Sequence, residues 1–215
     1  MKLYHTQTSP FVRKVMLVAH ELGLADRIET VFLRPNALSP DPELSRQNPL
    51  SKIPCLVVRD GEDGESGGRE LALYDSVVIC EYLDAVAGGR LIPAVGAARW
   101  EVLRRQALAD GVLDAGIQVF YERLHRPAEL QWEAWMEGQR HKVHQGLDAL
   151  EREVREIEEG GGWVPVDLGW LAVAAAIGWL EFREVVEVRA GRPRLTAWYE
   201  GFCERPSMVA TWPRA

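Results

Sequence analysis

Ser9 and Pro10 are the first residues of this 215-residue sequence whose types and order could do chemistry. A hydroxyl residue followed by proline reads as a helix start. The side-chain oxygen accepts from an early backbone amide, and proline at the first helical position gives up an N–H that would have no partner anyway. Val12, Val15, Met16, Ala19 and Leu22 follow at helical spacing as one apolar stripe. Residues 2–5 ahead of them read as a short strand that ends in a Thr-containing turn. A strand that runs into a helix N-terminus presents free N–H groups and the positive end of the helix dipole, a setting that favours anions and thiolates. The same pair also reads as a plain cap, with Ser9 closing its own helix. Asp75-Ser76 repeats the pattern ahead of Val78, Ile79, Tyr82 and Leu83, in a helix expected to stop near Gly88-Gly89.

Other chemistries find little support. Cys55, Cys80 and Cys203 lie far apart with no C-x-x-C pair, which argues against a disulfide framework or a zinc site and for a reducing compartment. His5, His20, His125, His141 and His144 show no ligand spacing, so no metal is expected; His141 and His144, three apart, are expected on a solvated surface. A net charge of −7 without a basic patch or tail lacks the electrostatic footprint of a nucleic-acid binder and leaves small molecules or proteins as partners. No signal-peptide pattern is seen at the N-terminus, and the longest apolar run, residues 168–180, is too short to span a bilayer and reads as a buried helix. The expected location is the cytoplasm, with no membrane partner.

These residues need elements to hold them. After the first helix, residues 24–27 read as a turn and the β-branched and aromatic residues 28–33 as a second strand. Residues 34–49 carry four prolines and should be irregular, with a single helical turn around residues 43–46. Residues 53–58 read as a third strand entered at Pro54, and residues 70–73 as a fourth, joined to it as an antiparallel hairpin by the polar loop GEDGESGG, which is expected to be mobile. The order is βαβ, an irregular stretch, then ββα. Beyond residue 93 the texture is helical throughout: residues 100–124, with an apolar stripe through Leu103, Ala107, Leu108, Val112, Ala115, Val119 and Phe120; residues 131–158; the apolar residues 167–183; and residues 195–205. Asp167, a charge in an apolar helix, must find partners and is assigned a supporting role through local backbone bonds. The eight tryptophans are read chiefly as packing residues of the helical part.

Taken in order, the chain resembles the cytosolic glutathione S-transferases over its whole length, with some similarity to the omega type. Four places carry the resemblance: Ser9-Pro10-Phe11-Val12-Arg13-Lys14, where that family keeps its thiol-activating residue; the N-P-x-x-x-x-P segment Asn48 to Pro54, whose second proline is cis in the family; Tyr74-Asp75-Ser76; and Glu81-Tyr82-Leu83-Asp84. Asp167, Trp198-Tyr199 and Arg205-Pro206-Ser207 resemble later landmarks of the same family. The family usually has Ser or Thr three residues before its internal aspartate; Val164 stands there, followed by Pro165, so a variant helix start is expected.

The resemblance implies an α/β thioredoxin-like domain over residues 1–86 and an all-α helical domain over residues 95–215, glutathione as co-substrate without a metal, an apolar electrophile as second substrate, and a homodimer. Glutathione has carboxylates at both ends, an amine and a thiol of pKa about 8.5. Ser9 would donate to the sulfur as the catalytic residue, with Thr8 the alternative hydroxyl and Phe11 beside it. The backbone of Ile53, held extended by Pro54, would pair with the cysteinyl segment. Ser76 and the amides of its helix would take the γ-glutamyl carboxylate, with Asp75 nearer the amine, and Arg34 or Lys52 the glycine carboxylate. Trp100, Phe120 or Tyr121 are candidates to line an acceptor pocket. Serine at position 9, where glutaredoxins and omega-type transferases have cysteine, cannot form a mixed disulfide and so favours conjugation over thiol–disulfide exchange. A glutathione-dependent isomerase or dehalogenase would use the same thiolate, and a non-catalytic adaptor would have kept the fold without turnover.

Overall fold

The computed structural model describes residues 1–33, 39–59 and 69–213. Arg34 and the loop GEDGESGG lie outside the described residues. The chain folds as two compact units, Met1–Arg90 with Thr211–Ala215, and Leu91–Ala210.

In the first unit, β1 (Lys2–His5), α1 (Pro10–Glu21), β2 (Glu29–Phe32), α2 (Pro42–Gln47), β3 (Cys55–Arg59), β4 (Glu70–Leu73) and α3 (Ser76–Val86) follow in order. The single helical turn expected near residue 43 is longer: Asp41 caps it by accepting from Glu43 N and Leu44 N, and Pro42 opens it. The sheet order is β2-β1-β3-β4, with β2 parallel to β1 and the other pairs antiparallel. Alternation along the strands divides two faces. Tyr4, Cys55 and Val57 cluster with Leu44 of α2, while Leu3, Leu56 and Val58 are buried on the opposite face; α1 and α3 pack against each other. The Tyr4 hydroxyl donates to Glu43 Oε1 at 3.0 Å and so ties β1 to α2. The last residues of this unit reach α1, where the Trp212 ring lies 5.1 Å from the Arg13 guanidinium.

The second unit contains α4 (Gly96–His125), α5 (Glu133–Glu159), α6 (Leu168–Phe182), α7 (Pro193–Cys203) and α8 (Pro206–Ala210). Residues 168–180 of α6 are all buried, as their composition predicts. Among the described residues no helix is long and apolar enough to cross a membrane. α4 and α6 approach closely because two glycines let them: a Cβ on Gly169 would stand 2.8 Å from the Val102 carbonyl oxygen, and one on Gly116 the same distance from Leu180 Cδ2.

Three expectations need correction here. The buried seam of α4 runs through Val102, Arg105, Gln106, Ala109, Val112 and Leu113, whereas Ala107 is exposed. The predicted stripe counted only apolar residues and so missed the two polar side chains that set its phase. His144 is not simply solvated: it is half-buried, and the Arg192 Nη2 group lies 3.1 Å from its Nδ1. Finally, the helix read over residues 195–205 ends at Cys203 with Glu204 as its C-cap, and a further short helix, α8, opens at Pro206.

Candidate active site

Ser9 is the N-cap of α1, with extended backbone (φ −78°, ψ 124°). Its Oγ accepts from Val12 N–H at 3.3 Å, and its carbonyl accepts from Arg13 N–H at 3.0 Å. Pro10 has no N–H to offer. Of the first-turn donors, the Phe11 amide is left to meet a ligand. Accepting from Val12 uses one lone pair of the hydroxyl and leaves its O–H proton free to donate outward, so capping and thiol activation are compatible in one residue. The first turn carries no acidic side chain. Arg13 and Lys14, both buried, add positive charge just inside the helix, and Lys14 Nζ stands 5.6 Å from the centre of the Phe11 ring. Thr8 is half-buried in the preceding turn and is not the cap. Burial lowers the pKa of His5 at the end of β1, against a hydrogen bond with the Thr6 backbone that works the other way.

The approach to Pro54 is built by Asn48, a buried residue that the motif reading noted only as part of the N-P pattern. Its Nδ2 donates to Lys52 O at 2.8 Å and its Oδ1 accepts from Leu50 N at 3.0 Å, closing a small loop that contains Ser51 at φ 50°. An asparagine beside a proline at a strand entrance was the available signal, because Asn side chains bond to their own turn. The Ile53–Pro54 peptide bond is cis. β3 begins only at Cys55, so Ile53 lies outside the ladder. The Lys52 side chain is exposed.

Asp75, preceded by a cis Tyr74–Asp75 bond, caps α3 by accepting from Val77 N at 3.0 Å through Oδ1. Ser76 is the first helical residue and is buried.

Strand register brings these pieces together. Tyr4 at the end of β1 is opposite Cys55 at the start of β3, and Leu56 is opposite Leu73 at the end of β4. The turn to Ser9, the Ile53-Pro54 step and Asp75-Ser76 therefore leave the sheet at one edge. His5 opposite Phe32 places the end of β2 there too. Two helix N-termini and a stretch of extended backbone at one end of a sheet can hold an extended, multiply charged anion.

None of the three cysteines is in a disulfide, Cys55 and Cys80 are buried, and burial pushes the Cys55 thiol up to about 11, away from a reactive thiolate. No group of three or more His, Cys, Asp or Glu residues among those described is arranged to hold a metal.

Asp167, in the second unit, belongs to the scaffold. It is the N-cap of α6, and its Oδ1 accepts from Trp170 N at 2.9 Å. Arg105 of α4 reaches it through Nη1 at 3.0 Å and 3.3 Å, while the Nε of the same guanidinium donates to Glu153 of α5 at 3.0 Å. Burial pushes the Asp167 carboxyl up, against the opposing pull of the Trp170 amide and of Arg105. With Val164 in place of the usual hydroxyl, the aspartate caps the helix itself and Arg105 holds it. Of the aromatic candidates, Trp100 and Tyr121 are exposed, and Phe120 meets Trp179 edge-on at 5.8 Å.

The geometry defines a class: a thioredoxin-like mixed sheet with an anion-receptive edge, followed by an all-helical unit. Residues 8–86 match the family model for the glutathione S-transferase N-terminal domain. Over 215 residues the chain is 32% identical to the uncharacterized GST-like protein YibF of Escherichia coli K12, covering 99% of this chain and 98% of YibF. A glutathione transferase family member from Pseudomonas fluorescens Pf-5, solved with bound glutathione, is 40% identical with a TM-score of 0.87, the match covering 100% of this chain and 99% of that one. A second structure of a Pseudomonas fluorescens Pf-5 family member, with bound S-(propanoic acid)-glutathione, matches at 40% identity and a TM-score of 0.84 over 100% of this chain and 99% of that one. The chain belongs to the glutathione S-transferase family.

Proposed function

We propose that the protein is a glutathione transferase that binds glutathione at this sheet edge, favours its thiolate, and adds the sulfur to an electrophilic carbon of an apolar small molecule. The observation that carries this reading is the Ser9 hydroxyl, bonded as an acceptor to Val12 N at 3.3 Å and so left with its proton to donate. The thiol proton passes to solvent. The thiolate lone pair forms the new C–S bond, and the displaced electron pair leaves with the leaving group or moves into the acceptor. Lowering the thiol pKa by two units takes about 2.7 kcal/mol of preferential thiolate stabilisation, the order of a charge-assisted hydrogen bond plus a helix terminus. The relative from Pseudomonas fluorescens with a carbon-substituted sulfur in its bound ligand supports the C–S class of chemistry.

In this reading the Phe11 amide faces the sulfur beside Thr8, and the Ile53 backbone ahead of Pro54 pairs with the cysteinyl segment. Ser76 and the α3 amides take the γ-glutamyl carboxylate. Asp75, whose Oδ1 is committed to Val77, offers Oδ2 to the amine, and Lys52 or Arg34 receives the glycine carboxylate. The protein works as a cytoplasmic homodimer; exposed Leu71, Tyr74 and Val78 supply apolar surface for association. Calorimetric titration with glutathione tests the reading. Saturable binding of about −4 to −8 kcal/mol supports it, and absence of heat at several temperatures overturns it. If Thr8→Ala abolishes conjugation while Ser9→Ala leaves it intact, the sulfur partner is Thr8.

A further inference from the structure

Arg13 holds an unusual place for a cation. It follows Ser9 by four residues on α1, so the two side chains share one face of the helix a turn apart. Long helical side chains lean toward the N-terminus of their helix, here toward the Ser9 cap. Arg13 is only 6% exposed, although burying an arginine costs rotamer freedom and the hydration of its charge. Its main-chain N–H is part of the helix start, donating to the Ser9 carbonyl at 3.0 Å. Over its guanidinium lies the far end of the chain: the Trp212 ring, with its centre 5.1 Å from the guanidinium carbon. Tryptophan is the best of the aromatic faces for a cation.

The last residues are held in place there. α8 ends at Ala210 in the second unit, and from Thr211 the chain belongs to the first. Pro213 is buried, while Trp212 keeps about half its surface in solvent. Terminal residues are commonly loose unless something ties them down. The first turn of α1 has a matching need: helix starts open easily, Pro10 donates no N–H, and the bond from Val12 N to Ser9 Oγ is long at 3.3 Å. Resting on the glutathione reading of this edge, we infer that Trp212 is a positioning residue of that site: residues 211–213 form a strap whose ring seats Arg13 and so fixes the first turn on which Ser9 and the Phe11 amide are presented.

Trp212→Leu and Trp212→Phe in the full chain test this, by native-state hydrogen exchange and by ultraviolet titration of the thiolate of bound glutathione. The amides to follow are Val12, which donates to Ser9 Oγ, and Arg13; the Ile79 amide, which donates to Asp75 O at the start of α3, is the internal control. Trp212→Leu keeps apolar bulk and loses the π face. It should exchange about fivefold faster at Val12 and Arg13 with Ile79 unchanged, and should raise the thiol pKa of bound glutathione by about half a unit. Trp212→Phe should stay within about twofold of wild type in both. Unchanged exchange in Trp212→Leu, equal acceleration at Ile79, an unmoved thiol pKa, or a Trp212→Phe variant as damaged as Trp212→Leu would each overturn the inference while wild-type glutathione binding stands. Absence of glutathione binding by the wild type would overturn the proposed function, and this inference with it.

Discussion

Two helix starts in this molecule use the same device and end with opposite chemistry. At α1, Ser9 accepts one backbone amide and remains half-buried, with a proton still to give. At α6, Asp167 also accepts one backbone amide, yet its carboxylate is buried, bridged by Arg105, and tied through that guanidinium to Glu153. The first cap keeps spare hydrogen-bonding capacity at the surface of its unit; the second has used its capacity holding three helices together. A capping residue is therefore a candidate for function when its bonds are counted and some remain, and a candidate for stability when none do.

The sharpest way to break this comparison is to remove the cation from the closed network. Arg105→Ala leaves the buried Asp167 without its cation, leaves Glu153 only Arg104 at 3.4 Å, and deprives Trp170 of a guanidinium 4.5 Å from its ring. The expected cost is about 3–5 kcal/mol, read as a lower urea midpoint at an unchanged slope. Asp167→Ala should cost a similar amount, and the double variant clearly less than the sum, because the two changes remove one interaction. A loss below about 1 kcal/mol would place this network with ordinary surface ion pairs.

At the open cap the expected effect is smaller and of a different kind. Ser9→Ala should cost about 1 kcal/mol of stability, whereas Ser9→Gly should cost only a few tenths, since glycine is an acceptable N-cap. Both lose the hydroxyl donor equally. Each should therefore raise the pKa of bound glutathione by about one unit and slow conjugation at neutral pH about tenfold. Equal damage to rate and stability in Ser9→Ala, with Ser9→Gly near wild type in both, would show that Ser9 acts only as a cap.

What the sequence made legible follows the same division. α1 and α3 announced themselves because their signals are local: a cap, a proline or a following apolar stripe within one turn. β2 was readable from its β-branched and aromatic run, β3 and β4 from the proline entrance and the polar loop between them, and the run 168–180 from composition alone. Arg105 was hidden because it is a charged residue in phase with Val102 and Ala109, and a search for apolar periodicity passes over it. His144 and Arg192 meet across 48 positions of sequence, a relation that no local pattern encodes. At the candidate site local patterns showed the single residues, while only the family resemblance implied that they meet at one ligand; their convergence rests on the register of Tyr4 with Cys55 and of Leu56 with Leu73, which no local pattern encodes.

The smallest effect sharpens the comparison from the side of the sheet. Tyr4 is buried in the cluster under α2, and burial, with the hydrogen bond to Glu43 and the charge of that carboxylate, pushes its phenol up to about 12. Its pKa in the unfolded chain is about 10. The native state thus holds the proton longer than the unfolded state, so the stability this group contributes is whole below pH of about 10 and is lost as pH rises toward about 12. Tyr4→Phe keeps the ring and removes the titration. It should cost about 0.5–1.5 kcal/mol at neutral pH through the lost bond to Glu43, and should flatten the alkaline decline in urea stability between pH about 10 and 12. Glutathione binding should change far less than in Ser9→Ala, because Tyr4 faces α2 while the chain reaches the Ser9 turn only after β1 ends at His5. A Tyr4→Phe variant with an unaltered alkaline decline would assign that titration to another group and leave Tyr4–Glu43 as a contact of packing alone.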